Sequence, residues 1–197
     1  SWGVGELQNI PPVATTTVSY QGYEGESITL DGAASYDPDG AIQSYEWDLD
    51  NDQIYETIGS ITTYTWMDDY IGSITLKVTD NQGAEATIAT TIAISNKLPV
   101  VSINGPYTGY TSQPITFTAS AQDTDPLVYL WQFGDSATST DLISTHTYTA
   151  TGIYQITFQA KDKDGGISSA TTIATITERP PLIIAPASGP VGTTITV

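Results

Sequence analysis

The sequence predicts an all-β chain that carries one short-stranded domain twice. Three observations predict it. Apolar residues recur with period two in short runs, helical periodicity is missing, and the second half of the 197 residues repeats the first.

The strands read in order. Ile28 and Leu30 alternate with polar neighbours in SITLDG, Tyr45, Trp47 and Leu49 in SYEWDLD, and Ile74, Leu76 and Val78 in SITLKVTD. β-Branched residues dominate these runs, and Gly, Pro, Asn or Asp bound each one, as turns require. Many short strands without helices mean a sandwich or a barrel. In the second half Ile115 and Phe117 match Ile28 and Leu30, Trp131 matches Trp47, and residues 146–166 match 64–84. The offset stays at about 80 to 87 residues, a drift that changes in loop length explain. The predicted domains are therefore 9–95 and 96–177. Residues 1–8 read as the tail of a preceding unit and 178–197 as a linker followed by the first strand of another. The joints Asn96-Lys97-Leu98-Pro99 and Glu178-Arg179-Pro180-Pro181 are stiffened by proline. A start at Ser1 and an end at Val197 inside a strand pattern read as a piece of a longer protein.

Composition narrows the function. Asp and Glu number 22 against 5 Lys and Arg, for a formal charge of −17. Nucleic acid and anionic membrane need a basic face, so neither is the expected partner. The chain has no cysteine and a single histidine, His146, which removes thiolate and multi-His metal sites. No run of about 18 apolar residues exists to span a membrane. Charged residues are only 14% of a chain rich in Thr, Ser and Gly, the balance of an exported surface protein. No N-x-Ser/Thr acceptor occurs.

YDPDGAIQSYEWDLDND (36–52), YTW (64–66) and LKVTDNQG (76–83) together resemble the PKD domain, an immunoglobulin-like β-sandwich. DTDPLVYLWQFGD (123–135), HTY (146–148) and QAKDKDGG (159–166) carry the same resemblance in the second copy. PASGPVGTTITV (186–197) is similar to the opening of IPT/TIG domains, another immunoglobulin-like module. The resemblance implies two tandem immunoglobulin-like sandwiches serving as an extracellular, non-catalytic spacer or adhesion module. Such modules occur in surface-layer proteins and beside the catalytic domains of secreted hydrolases.

Calcium is the expected ligand. Hard cations take several oxygen donors, and carboxylates clustered at loop tips supply them. In the first copy these are Asp37 and Asp39 of DPDG with Asp80 of the loop after LKVT. The resemblance adds Asn9 of the lead-in segment. The matching set in the second copy is Asn96, Asp123, Asp125 and Asp162. A weaker candidate is Asp48, Asp50 and Asp52, which imitate the start of an EF-hand loop. That run departs from the pattern at Gln53, where the loop has Gly, and at Gly59, where it has a bidentate Glu. The competing reading is that these Asp residues cap turns through the backbone.

His146 lacks a nucleophile elbow and reads as structural. Trp47 and Trp131 read as core. Trp66 and Tyr20, Tyr23, Tyr107 and Tyr110, nearer to turns, are candidates for an aromatic contact surface. The leading expectation is a structural repeat of a cell-surface protein, in a surface layer, sheath, filament or adhesin stalk. It would be stiffened by calcium and self-associate or meet neighbouring units through its edge strands. The alternative is an accessory module of a secreted hydrolase that docks on polysaccharide or protein.

Overall fold

A computed structural model describes residues 8–181. The predicted first strand of an IPT/TIG-like unit therefore lies outside the described residues, as does most of the predicted 1–8 tail. Among the described residues every regular element is a strand, and no helix is long and apolar enough to cross a membrane.

In the first copy the strands are β1 (Ser19–Tyr23), β2 (Ser27–Asp31), β3 (Ile42–Asp48), β4 (Thr57–Ile58), β5 (Ile61–Thr65), β6 (Tyr70–Asp80) and β7 (Glu85–Ser95). They form a five-stranded sheet, β1-β7-β6-β3-β4, and a two-stranded sheet, β2-β5. The second copy has β8 (Val100–Ile103), β9 (Tyr107–Tyr110), β10 (Pro114–Gln122), β11 (Val128–Gln132), β12 (Thr138–Ser139), β13 (Ile143–Thr147), β14 (Gly152–Lys161) and β15 (Ile167–Thr177). Its sheets are β9-β15-β14-β11-β12 and β13-β10-β8. The five-stranded order is the same in both copies, and β8 adds a third strand to the smaller sheet of the second. β1 pairs in parallel with β7, Ser19 opposite Thr91, and β9 in parallel with β15, Tyr107 opposite Ala174. The pairs β2–β5, β3–β4, β3–β6, β6–β7, β10–β13 and β11–β12 are antiparallel.

Period two does what the sequence predicts. Ile74, Leu76 and Val78 on β6 are fully buried, as are Trp47 on β3 and Leu30 on β2. Burying one such aliphatic side chain contributes roughly 1.5–3 kcal/mol. Trp47 and Trp131 are core residues, and each indole N–H is satisfied there. Trp47 Nε1 donates to the Gly59 carbonyl at 3.0 Å and Trp131 Nε1 to the Asp141 carbonyl at 2.8 Å.

The aromatic contact surface needs correcting in part. Tyr20 and Trp66 are buried. The Tyr20 hydroxyl accepts the Asp31 N–H at 3.0 Å, and the Tyr107 hydroxyl accepts the Thr118 N–H at 3.0 Å. These two tyrosines fasten β1 to β2 and β9 to β10, which uses them inward. Tyr23 and Tyr110 do stay exposed.

By compactness the described residues divide into two units. The first holds the residues up to Val101 together with Ala121–Val128 and Gln159–Ser169; the second holds Ser102–Ser120, Tyr129–Phe158 and the residues from Ala170 on. The loops that carry Asp123, Asp125 and Asp162 thus group with the first unit, a division that differs from the sequence boundary near residue 95.

Candidate metal sites

The first candidate set gathers where the lead-in segment crosses two loops. The loop between β6 and β7 is a tight turn with Gly83 at φ 90°, a left-handed position that favours glycine. It presents Asp80, which is fully buried. One Asp80 oxygen accepts the N–H groups of Gln82 and Ala84 at 2.8 and 2.9 Å, and the other accepts the Asn9 amide at 2.9 Å. Burial opposes ionisation of Asp80. The Asn9 amide and the backbone N–H groups of Ala84, Gln82 and Gly83 outweigh it and hold the carboxyl below its usual range. The DPDG loop supplies the rest. Asp39 accepts the Ile10 N–H on both oxygens at 3.2–3.3 Å, and its own N–H points to Asp37 at 3.4 Å.

The structure therefore brings Asn9, Asp37, Asp39 and Asp80 together, and it leaves two oxygens over. Asn9 Oδ1 and Asp37 Oδ2 are buried without a hydrogen-bond partner among the described residues. Gly40 keeps this corner open: a Cβ there would stand 2.5 Å from Asp37 Oδ2. A buried acceptor without a donor costs about 1–3 kcal/mol, more when charged, unless something positive meets it.

The second set repeats the pattern. Asp162, also buried, accepts the Gly166 N–H at 2.7 Å and the Asn96 amide at 3.1 Å. Burial again opposes its ionisation, and Asn96 with the N–H groups of Gly166, Gly165 and Asp164 again wins, holding the carboxyl low. Asn96 Oδ1 and Asp123 Oδ2 are the buried oxygens left without partners, at the same positions as in the first copy. Every donor in both sets is oxygen, which suits a hard divalent cation and not a soft one.

The two sets differ in the charge beside the last aspartate. Asn81 follows Asp80, whereas Lys163 follows Asp162. Lys163 Nζ lies 2.9 and 3.0 Å from the two oxygens of Asp125, 2.6 Å from Asp68 and 3.2 Å from Asp164. Its hydrogen bonds to Asp68 and then Asp125 push its pKa up. Sequence reasoning missed Lys163, and it missed Glu24. Glu24 is completely buried in the turn after β1; its Oε1 accepts the Lys97 N–H at 3.0 Å and its Oε2 has no partner among the described residues. Burial raises its pKa, against the Lys97 hydrogen bond, and the charges of Asp125 and Asp123 raise it further.

The weaker candidate, Asp48, Asp50, Asp52, does form a cluster, and Glu56 joins it: one oxygen from each of the four lies within 4.8 Å of the others. Here the carboxylates serve the backbone. Asp48 accepts the N–H groups of Asp52 and Gln53 at 3.2 and 2.8 Å, Asp52 accepts that of Ile54 at 2.7 Å, and Glu56 accepts that of Leu49 at 2.7 Å. Gln53 takes φ 74°, the conformation that glycine provides in the loop the run imitates.

His146 Nε2 donates to the Asp135 carboxylate at 2.7 Å, with its ring stacked 4.5 Å from Phe133 and edge-on to Tyr148. It is a packed side chain tied to one carboxylate.

Two like sandwiches with parallel outer strands, each with an Asn–Asp corner, define a tandem immunoglobulin-like module. A PKD domain profile matches residues 9–94 and again 96–177. The chain belongs to the PKD domain family, in two copies. It is similar to collagenase ColQ1 of Bacillus cereus (strain Q1), 39% identical over 84 residues, which are 41% of this chain and 9% of that protein. It is also similar to the pre-pro-metalloprotease PrtV of Vibrio cholerae, 28% identical over 168 residues, which are 83% of this chain and 17% of that protein. The solved PKD1 domain of the Vibrio cholerae metalloprotease PrtV is 34% identical, covers 44% of this chain and 99% of its own, and has a TM-score of 0.37. The chain thus spans less than a fifth of the length of these curated relatives.

Proposed function

We propose that this chain is a non-catalytic, calcium-holding accessory segment of a larger extracellular hydrolase, a part that presents a surface to protein or polysaccharide polymer. The family membership and the kind of enzymes that share it favour this reading over a surface-layer or filament scaffold. The observation that carries the calcium part is the pair of buried oxygens without partners that recurs in both copies: Asn9 Oδ1 with Asp37 Oδ2, and Asn96 Oδ1 with Asp123 Oδ2. Asn9, Asp37, Asp39 and Asp80 would hold one ion, and Asn96, Asp123, Asp125 and Asp162 the other. The ion would pin the residues Asn9–Ile10 and Asn96–Lys97 to the loops beside them. Affinity for calcium falls with fewer charges and less rigid ligands, so Asp37→Asn is expected to weaken the first site by about tenfold or more.

The surface part has a candidate too. A groove of about 430 Å³ on the first unit is lined by Tyr64, Trp66, Met67, Asp50, Glu56 and Asp68 among others. Met67, Ile58 and Ile61 stand exposed close to it in sequence. Sedimentation of the chain with insoluble collagen and with insoluble polysaccharides tests the docking role. Retention that drops in Tyr64→Ala and Met67→Ala supports it; equal recovery in the supernatant with and without every polymer removes it.

A further inference from the structure

We propose that Glu24 is a ligand of the second cation site, so that the two copies hold calcium with different donor sets. This rests on the calcium reading of the second site given above and adds a donor to it. All the residues concerned lie in the first compact unit.

Glu24 needs an explanation on its own account. It is completely buried, yet one of its oxygens has no partner. The turn that carries it does not ask for a carboxylate. At the matching position of the second copy, after β9, the residue is Thr111. Gly25, with φ 70°, supplies the left-handed step of the turn. What Glu24 touches is the second site. Its Oε1 binds the N–H of Lys97, the neighbour of Asn96. One of its oxygens lies within 4.8 Å of carboxylate oxygens of Asp125, Asp68 and Asp164. Its Oε2, Asn96 Oδ1 and Asp123 Oδ2 are three buried acceptors without donors, brought from three stretches of chain.

Charge points the same way. Glu24, Asp68, Asp123, Asp125, Asp162 and Asp164 bring six formal negative charges to the corner, and Lys163 brings one positive charge. Lys163 spends its bonds on Asp125, Asp68 and Asp164 and makes none to Glu24. The three acceptors left over call for a positive centre that several oxygens share at once, which a divalent cation provides and a single ammonium does not. Lys163 then competes with the ion for Asp125, where the first copy has the neutral Asn81.

Calorimetric titration of the whole chain with calcium chloride, after chelator treatment, tests this. Wild type is expected to bind two ions. In Glu24→Gln one site is expected to weaken by about tenfold or more while the other stays within about twofold. Asp123→Asn should weaken the same site as Glu24→Gln, and Asp37→Asn the other one. Lys163→Asn, which installs the residue of the first copy, should tighten the site that Glu24→Gln weakens. Without calcium, Glu24→Gln should melt no lower than wild type, because Gln keeps the acceptor for Lys97 and removes a buried charge. If Glu24→Gln does not fold, Glu24→Asp, shorter by one methylene with the charge kept, takes its place with the same expected loss at one site. Two ions bound by wild type and by Glu24→Gln with unchanged affinities overturns the role of Glu24 and leaves the calcium reading standing. No heat from wild type at millimolar calcium removes both.

Discussion

The two copies fill the same frame with different material. In the first, Leu30, Leu49 and Leu76 surround Trp47; in the second, the same places hold Phe117, Phe133 and Phe158 around Trp131. Their rings sit 4.8–6.1 Å apart, in tilted and stacked pairs. Strand order and the parallel closure are unchanged by the exchange. What stays constant is the tryptophan, whose N–H must find a carbonyl of the neighbouring segment, and the period-two pattern. The frame is therefore set by pattern and by one hydrogen-bonded anchor, while the filling is free to vary so long as total volume is matched locally.

The comparison breaks first at its constant. Trp47→Ala and Trp131→Ala each remove a fully buried ring and its hydrogen bond, and each is expected to cost about 3–5 kcal/mol. Urea titration followed by circular dichroism measures this, and a cost well below that range for either variant would show that the anchor is not shared. A smaller effect sharpens the difference in filling. Leu30→Phe forces a ring into the aliphatic core and is expected to cost roughly 1–3 kcal/mol. Phe117→Leu leaves a gap among rings, and combining it with Phe133→Leu should depart from additivity, because the two rings touch at 5.1 Å. The smallest effect concerns pH. Asp80 and Asp162 have folded values held below the unfolded value of about 3.9, so their stabilisation is complete above that pH and is lost as pH falls through the folded values. Glu24 has the opposite sign: its folded value is raised, so its cost is full at neutral pH and relieved as pH falls through that value. Melting curves from pH 7 to about 3 should lose stability in acid, with a shallower acid limb in Asp80→Asn and in Asp162→Asn.

Much of the fold was legible because burial follows alternation. Leu30, Trp47, Ile74, Leu76 and Val78 are buried where period two puts them, and the repeat doubled each inference. The Asn and Asp positions were legible through the family resemblance together with the chemistry of clustered carboxylates. Tyr20 and Tyr107 were misread because the bond that turns each inward runs to an N–H 11 residues away, on the following strand. Local pattern carries no trace of such a partner. Glu24 and Lys163 were missed for the same reason. Each is unremarkable in its own loop and becomes informative only beside Asp125, about a hundred residues from Glu24.

In each copy the closing strand runs beside an early strand in the same direction, β7 beside β1 over five facing residues in the first copy and β15 beside β9 over four in the second. Tension applied along the chain at the two ends of such a sandwich slides these strands past each other, so the cross-links between them are strained together and not peeled one at a time. Pulled lengthwise, each module should yield abruptly at high load, and the copy with the longer overlap should be the last to give way.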